Sequence, residues 1–387
     1  MKVIEISKTS HIKSFHQLPF SLYKDSQAWI PHVYQEVEDV FAPTKNPFFK
    51  HGTAKRWIVL DAKGSCIGRI AAFVNKKRAF DEFQPTGGIG FFESQNNQAL
   101  ANLLFNTAKN WLEEQGMKAM DGPINFGERN KYWGLLIDGY EHPPNYGNNY
   151  HLPYYKDLFE SYGFKIYFKQ YCFKREAIAP LPEKYERIAA SVLRNPNYAF
   201  KPMNAKRFYA YAEEFQEVYN QAWQTHDNFK PMRLEQARKA LKTMKPILDP
   251  RAVWFAYFKG KPVGFLIFLP DINPIIKKIN GNMNLWGKLR FLIEFKLNKP
   301  KNLWAVVFGF HPEHQKKGLE AGLFQEIKNH FGKNPPYEEI FISWIGSFNP
   351  KMLHINRSLG SKHYQTLATY RHIFDPSIPF KPCPSID

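Results

Sequence analysis

The hydrophobic pattern along the chain switches between two periods, and the order of the switches occurs twice. KRWIVLD and CIGRIAAFVN are β-branched and aromatic runs either side of Ala62–Lys63–Gly64, which predicts a hairpin. GGIGFFES follows as a further strand. QALANLLFNTAKNWLEEQG then places Leu100, Leu103, Leu104, Ala108, Trp111 and Leu112 at spacings of three and four, an amphipathic helix that Gly116 ends. In the second half KRFYAYAEEFQEVYNQAW and EQARKALKTM read as helices. AVWFAYF and PVGFLIFL flank Lys259–Gly260–Lys261 as a hairpin. NLWAVVFGF is a strand, GLEAGLFQEIKNHF a helix, EIFISWIG a strand, NPKMLHINRSLG a helix and HYQTLATYRHIF a last strand.

Other stretches break this rhythm. Residues 1–50 mix short helical patterns with loops. The segment that opens DGPINFGERNKYWG and runs on through LPYYKDLFESYGF is rich in Gly, Pro, Asn, Trp and Tyr, too aromatic for a plain linker. AIAPLPEKY carries two prolines and no period, and the domain boundary is placed there. The expected division is a first domain over 1–178, a linker over 179–185, a second domain over 186–376 and a tail over 377–387. Residues 270–301 form an insertion between two strands of the second domain. Trp286, Leu289, Arg290, Ile293 and Leu297 recur there at helical spacing among several lysines, the pattern of an interfacial helix. A lid over the site is a competing use for it.

Composition narrows the class. The chain has 387 residues, which suits two domains better than one, and 44% are hydrophobic, ample for packed cores. The charge of +18 leaves nucleic acid, an anionic membrane surface or a polyanionic ligand as partners. Basic residues are interleaved with aromatic and aliphatic ones rather than bunched, so nucleic acid is the weaker of these. Cys66, Cys172 and Cys383 are too few and too far apart for a disulfide framework or zinc site, and the expected compartment is cytoplasmic. The histidines lie on different elements, so no metal is expected.

Chemistry concentrates in FHPEHQKKGLEAGLFQEI. A strand leads into Gln315, Lys316, Lys317 and Gly318, and a helix begins at Leu319 and Glu320. A helix N-terminus presents unpaired N–H groups and partial positive charge, so a tight turn there makes an anion site. With hairpin, strand, loop, helix, strand and helix in order around it, the block resembles the acyl-CoA signature of the GNAT acyltransferase superfamily. The whole chain resembles a bacterial family of two GNAT-like halves, some of whose broad group are implicated in ceramide synthesis. The resemblance implies an α/β (α+β) fold of two GNAT-like domains, each a mixed, largely antiparallel central sheet flanked by helices. It implies acyl-CoA or acetyl-CoA as donor, with the pyrophosphate on the amides of residues 315–320. Phe308, Phe310 and Asn349 would hold the pantetheine arm.

The sequence departs from that pattern at two positions. Glu320 stands where a small residue belongs, and Asn356 where a tyrosine protonates the leaving thiolate. Tyr364, Tyr370 and His354 are the remaining catalytic candidates. The first half has QNNQAL in place of the loop and is expected to be degenerate. Its irregular segment supplies acceptor-site candidates in Glu128, Arg129, Asn130, Tyr132, Trp133, Tyr154 and Tyr155. The function implied is acyl transfer to a primary amine, with the apolar insertion favouring a lipid-like one. The alternative is an inactive GNAT fold that docks on a membrane surface or nucleic acid. A transferase that uses a charged tRNA as donor is a third reading, which the CoA-type loop disfavours.

Overall fold

The computed structural model describes residues 1–81, 84–224, 230–332 and 335–386. The first half comprises β1 (Lys2–Glu5), α1 (Thr9–Leu22), α2 (Tyr34–Phe41), β2 (Gly52–Leu60), β3 (Cys66–Asn75), β4 (Thr86–Ser94), α3 (Gln98–Glu114), β5 (Ala119–Gly122), β6 (Leu135–Asp138), α4 (Tyr154–Tyr162) and β7 (Lys165–Glu176). The second half comprises α5 (Glu183–Leu193), β8 (Tyr198–Pro202), α6 (Ala210–Trp223), α7 (Leu234–Met244), β9 (Val253–Phe258), β10 (Lys261–Pro270), α8 (Asn273–Lys278), α9 (Leu285–Leu297), β11 (Asn302–Phe310), α10 (Leu319–Phe331), β12 (Glu339–Gly346), α11 (Pro350–Ser358) and β13 (Lys362–Ile373).

Both hairpins, the strands of the repeated order and the amphipathic helices lie where their periods place them. The helix ends follow local chemistry. Asn97 Oδ1 accepts the N–H of Leu100 at the start of α3, and Gly116 leaves the helix in the left-handed region at φ 82°. The irregular aromatic segment contains more order than its composition suggests: β5, β6 and α4 all fall within or beside it.

The sheets of the two halves are continuous. The strand order is β1-β2-β3-β4-β5-β13-β7-β12-β11-β10-β9-β8, with β6 also paired to β13. The last strand of each half therefore sits against the other half. β7 pairs with β12 from Glu176↔Glu339 to Gln170↔Gly346, and β13 pairs with β5 from Ile373↔Ala119 to Tyr370↔Gly122. The exchange is pinned by Arg371, whose guanidinium meets Asp121 at 2.6 Å and lies 3.6 Å from the centre of the Tyr167 ring. Such a pair, almost wholly desolvated, is destabilising to break from one side. The two halves thus share backbone hydrogen bonds and buried charge.

Two places in this sheet come apart, one in each half. β4 and β5 run parallel from Thr86↔Ala119 to Gly88↔Asp121 and then part. β11 and β12 run parallel from Asn302↔Glu339 to Ala305↔Ile342 and then part. Each splayed strand carries a bulge beside the parting. Val306 is skipped in the β10–β11 register, and Phe91, at φ 50°, lies where the β3–β4 register shifts. A bulge sharpens the local twist and re-aims the strand, which is how one strand leaves its parallel neighbour.

Candidate functional site

The second-half parting carries the loop singled out from the sequence. After Phe310 the chain makes a short 3-10 turn over Pro312–His314 and enters α10 through two left-handed residues, Lys316 at φ 59° and Gly318 at φ 77°. Gln315 donates from Nε2 to the Phe310 carbonyl at 3.0 Å, tying the loop to the strand end. Lys316 and Lys317 are exposed. Gly318 is buried against α5: a Cβ there would lie 2.1 Å from Ile188. Glycine is required both by the dihedral and by this contact.

Beneath the loop lies a cleft between β11, α10 and α11. Leu266, Phe268, Ala305, Phe308, Phe310, Leu323, Phe324, Ile342, Ile355 and Leu359 make it apolar, and Glu320 and Asn356 are its two polar members. Leu319 is buried beside it in the core under α10. The Glu320 carboxylate turns back towards its own backbone N–H, at the positive end of α10. Burial nevertheless raises its pKa, against the lowering effect of that N–H. Glu320 thus points inwards, where the sequence left open whether it would face away. Asn356 is 5% exposed, and its Oδ1 has no hydrogen-bond partner among the described residues. A buried acceptor left unpaired costs ~1–3 kcal/mol, so it is a feature that needs a reason.

Several sequence candidates are placed elsewhere. Asn349 does not line the cleft; it caps α11, its Oδ1 accepting the Met352 N–H at 3.1 Å. Tyr364 and Tyr370 lie on β13, whose strand exchange carries both into the core of the first half. The Tyr370 hydroxyl donates to Glu160 at 2.9 Å. His354 is on the exposed side of α11, near Ser358. None of these three reaches the cleft, because the strand that bears the tyrosines belongs to the other half's sheet and the helix turns the histidine outwards.

The first-half candidates divide into three groups. Glu128, Arg129 and Asn130 are exposed, and Glu128 lies near enough to α6 to help raise the pKa of Tyr219, after burial. Tyr132 and Trp133 are buried where the halves meet; Trp133 Nε1 donates to Thr369 Oγ1 of β13 at 3.1 Å. Tyr154 and Tyr155 belong to the first-half core, donating to the Ser94 carbonyl and to Glu93. On the same side as Glu128, Trp223 of α6 covers Gly309 of β11, where a Cβ would meet the indole at 2.4 Å.

The first-half parting is closed. Ile124 donates its N–H to the Ile89 carbonyl at 2.7 Å, and its own carbonyl would lie 2.1 Å from a Cβ on Gly90. The chain after β5 occupies the space that stays open beside β11. At the N-terminus of α3, Asn97 Oδ1 accepts the Leu100 N–H at 3.0 Å.

No protein-family model matches the chain. Among solved structures, a tandem GNAT protein from the clavulanic acid biosynthesis pathway superposes with a TM-score of 0.54 at 12% identity, over 97% of this chain and 99% of that one. The chain has the tandem GNAT fold. A GCN5-related glucosamine N-acetyltransferase region of a fungal multi-domain β-N-acetylglucosaminidase gives the same TM-score of 0.54 at 11% identity, over 96% of this chain and 38% of that one. In sequence, the chain is 25% identical over 378 residues to a protein of Caulobacter vibrioides (strain NA1000 / CB15N) named bacterial ceramide synthase, covering 96% of this chain and 97% of that protein. It is 24% identical over 365 residues to protein YghO of Escherichia coli (strain K12), covering 93% and 92%. Within the tandem GNAT fold, the open cleft belongs to the second half.

Proposed function

We propose that the protein is an N-acyltransferase that moves an acyl group from an acyl-CoA thioester to the primary amine of a lipid-like molecule. The observation that carries this reading is the apolar cleft at the second-half parting, with the unpaired Asn356 Oδ1 inside it. The edge of β11 beyond Ala305 is released from β12 there. Its freed backbone groups can pair with the amide groups of a pantetheine arm, and the donor's phosphates fit the loop from Lys316 to Leu319. The amine approaches from the side of Tyr219, Trp223 and Glu128. Glu128 can take a proton from the ammonium, directly or through water, so that the free amine attacks. The C–N bond forms, the C–S bond breaks, and the thiolate leaves with a proton from solvent, since no tyrosine stands at Asn356. We retain the division at 179–185 as the boundary between the halves, with the last strands exchanged across it.

The lipid-like character of the acceptor rests on α9. Leu285 and Trp286 are 82% and 77% exposed, and Leu289, Leu292, Ile293 and Leu297 are exposed beside them. Lys288, Arg290 and Lys296 share the helix, and its one acid, Glu294, is held by Lys278 at 2.8 Å. An apolar helix face with basic residues on it suits an anionic bilayer, where each basic side chain contributes about 1 kcal/mol. No helix among the described residues is long and apolar enough to cross a membrane.

The test is transfer itself. With a long-chain primary amine and palmitoyl-CoA, free thiol and N-acyl product should appear in equal amounts, and vesicles of anionic lipid should raise the rate. Binding of acyl-CoA without thiol release would leave the second reading, an inactive GNAT fold docked on a membrane surface. The specific support for that reading is Glu320, whose carboxylate lies at the N-terminal end of α10, where a phosphate would have to bind.

A further inference from the structure

We infer that the first half contains a separate ligand site, a cavity that takes the carboxylate head of an alkyl acid. The cavity lies between α1, α2, the strand ends of β3 and β4 and the segment 149–151, with Asn280 of the second half among its lining residues. Its polar end is built on Arg69, which is 5% exposed. One guanidinium nitrogen donates to the Phe15 carbonyl at 2.6 Å and another approaches Glu93 at 3.3 Å. Nε has no hydrogen-bond partner among the described residues. Glu93 is shared: Tyr23 and Tyr155 donate to it at 2.7 and 2.6 Å, and burial raises its pKa. Arg69 therefore keeps one buried N–H donor unspent.

Two histidines complete the polar end. His151 accepts the Leu136 N–H at Nδ1, so its proton sits on Nε2 and is available to a ligand. His32 lies against the Asn148 carbonyl through Nε2. Burial above all holds both rings neutral, with pKa values of about 3, and the positive charge of Arg69 adds to the effect. The neutral imidazoles leave Arg69 as the one cation among these groups, with Glu93 beside it. A carboxylate also makes the strongest hydrogen bond an unspent arginine N–H can have. Pro19, Val37, Phe91 and Phe92 give the wall an apolar stretch, and Phe20, 39% exposed, stands at the mouth with Trp29 packed edge-on against it at 5.0 Å. A polar end with one charged donor and an aromatic mouth fits an acid with an alkyl tail.

The cavity does not depend on the acyl-CoA reading, and the test keeps the two apart. Decanoate, decanol and decylamine are titrated into the full chain by calorimetry, with and without saturating palmitoyl-CoA. The expected result is decanoate binding at least tenfold tighter than either of the other two, unchanged by palmitoyl-CoA. In the double variant Arg69→Gln/Glu93→Gln, shown by circular dichroism to be folded, the preference for decanoate should vanish. In Phe20→Ser, a change at the exposed mouth, decanoate should weaken at least threefold. Equal binding of decanol, no binding of decanoate, or displacement by palmitoyl-CoA would overturn the inference. If the double variant does not fold, retention of full affinity in Phe20→Ser overturns it.

Discussion

The two partings of the sheet begin alike and end differently. In each, a parallel pair separates after a few residues beside a bulge. In the first half the chain that leaves β5 returns at once, and the backbone of Ile124 fills the opening. In the second half the chain that leaves β12 turns through α11, and an apolar cleft remains. One fold thus yields a filled seam and an open one, and the difference lies in the few residues after the strand. The lesson is that the parting is an architectural property of the sheet, while a site is a property of what is kept out of it.

Filling the open cleft should give the largest effect. Ala305→Trp places an indole in the cleft from β11, and we expect acyl-CoA binding to fall more than a hundredfold in calorimetry while the far-ultraviolet dichroism is unchanged. The converse change, Ile124→Ala, removes a buried side chain and should cost ~2–5 kcal/mol in chemical denaturation. It should create no second acyl-CoA equivalent, because it is the Ile124 backbone that occupies the first-half seam. Asn356→Leu separates stability from function. Removing a buried unpaired acceptor should raise stability by ~1 kcal/mol or leave it level. Acyl transfer should drop about tenfold, a free-energy change near 1.4 kcal/mol.

The smallest effect concerns Glu320. Its pKa is raised in the folded protein, so the native state binds more protons than the unfolded chain just above the ordinary glutamate range. Stability contributed by this group is present at low pH and is lost as pH rises through its folded pKa. Glu320→Gln should therefore flatten that part of the stability profile and make the protein slightly more stable at pH 7. Acyl-CoA affinity of the wild type should tighten as pH falls, while that of the variant is flat and a few-fold tighter at neutral pH. An affinity that falls in the variant would mean that Glu320 helps the donor rather than repelling it.

Much of this was legible in the sequence where a single period ran uninterrupted. The hairpins β2–β3 and β9–β10, the helices α3 and α10 and the loop at Gly318 all follow from local patterns. Strand exchange was not legible, because β7 and β13 differ from other strands in their partners rather than in their residues. That is why Tyr364 and Tyr370, close in sequence to the second-half site, lie in the first-half core. Asparagine before a helix serves equally as ligand holder and as cap, and Asn349 caps α11 in this structure. The apolar members of the cleft, such as Leu266 and Ile355, carry no sequence signal beyond core periodicity. The polar cavity around Arg69 was missed because its residues come from distant segments, Phe20 to Asn280, that only the fold assembles.

Under the proposed function, one half of this molecule binds acyl-CoA and the other does not. The most direct test is the stoichiometry of palmitoyl-CoA binding, measured by calorimetry on the full chain beside Ala305→Trp. One equivalent per chain in the wild type and none in the variant is the predicted result. Two equivalents, or one that survives Ala305→Trp, would place the donor outside the second-half cleft and contradict the account.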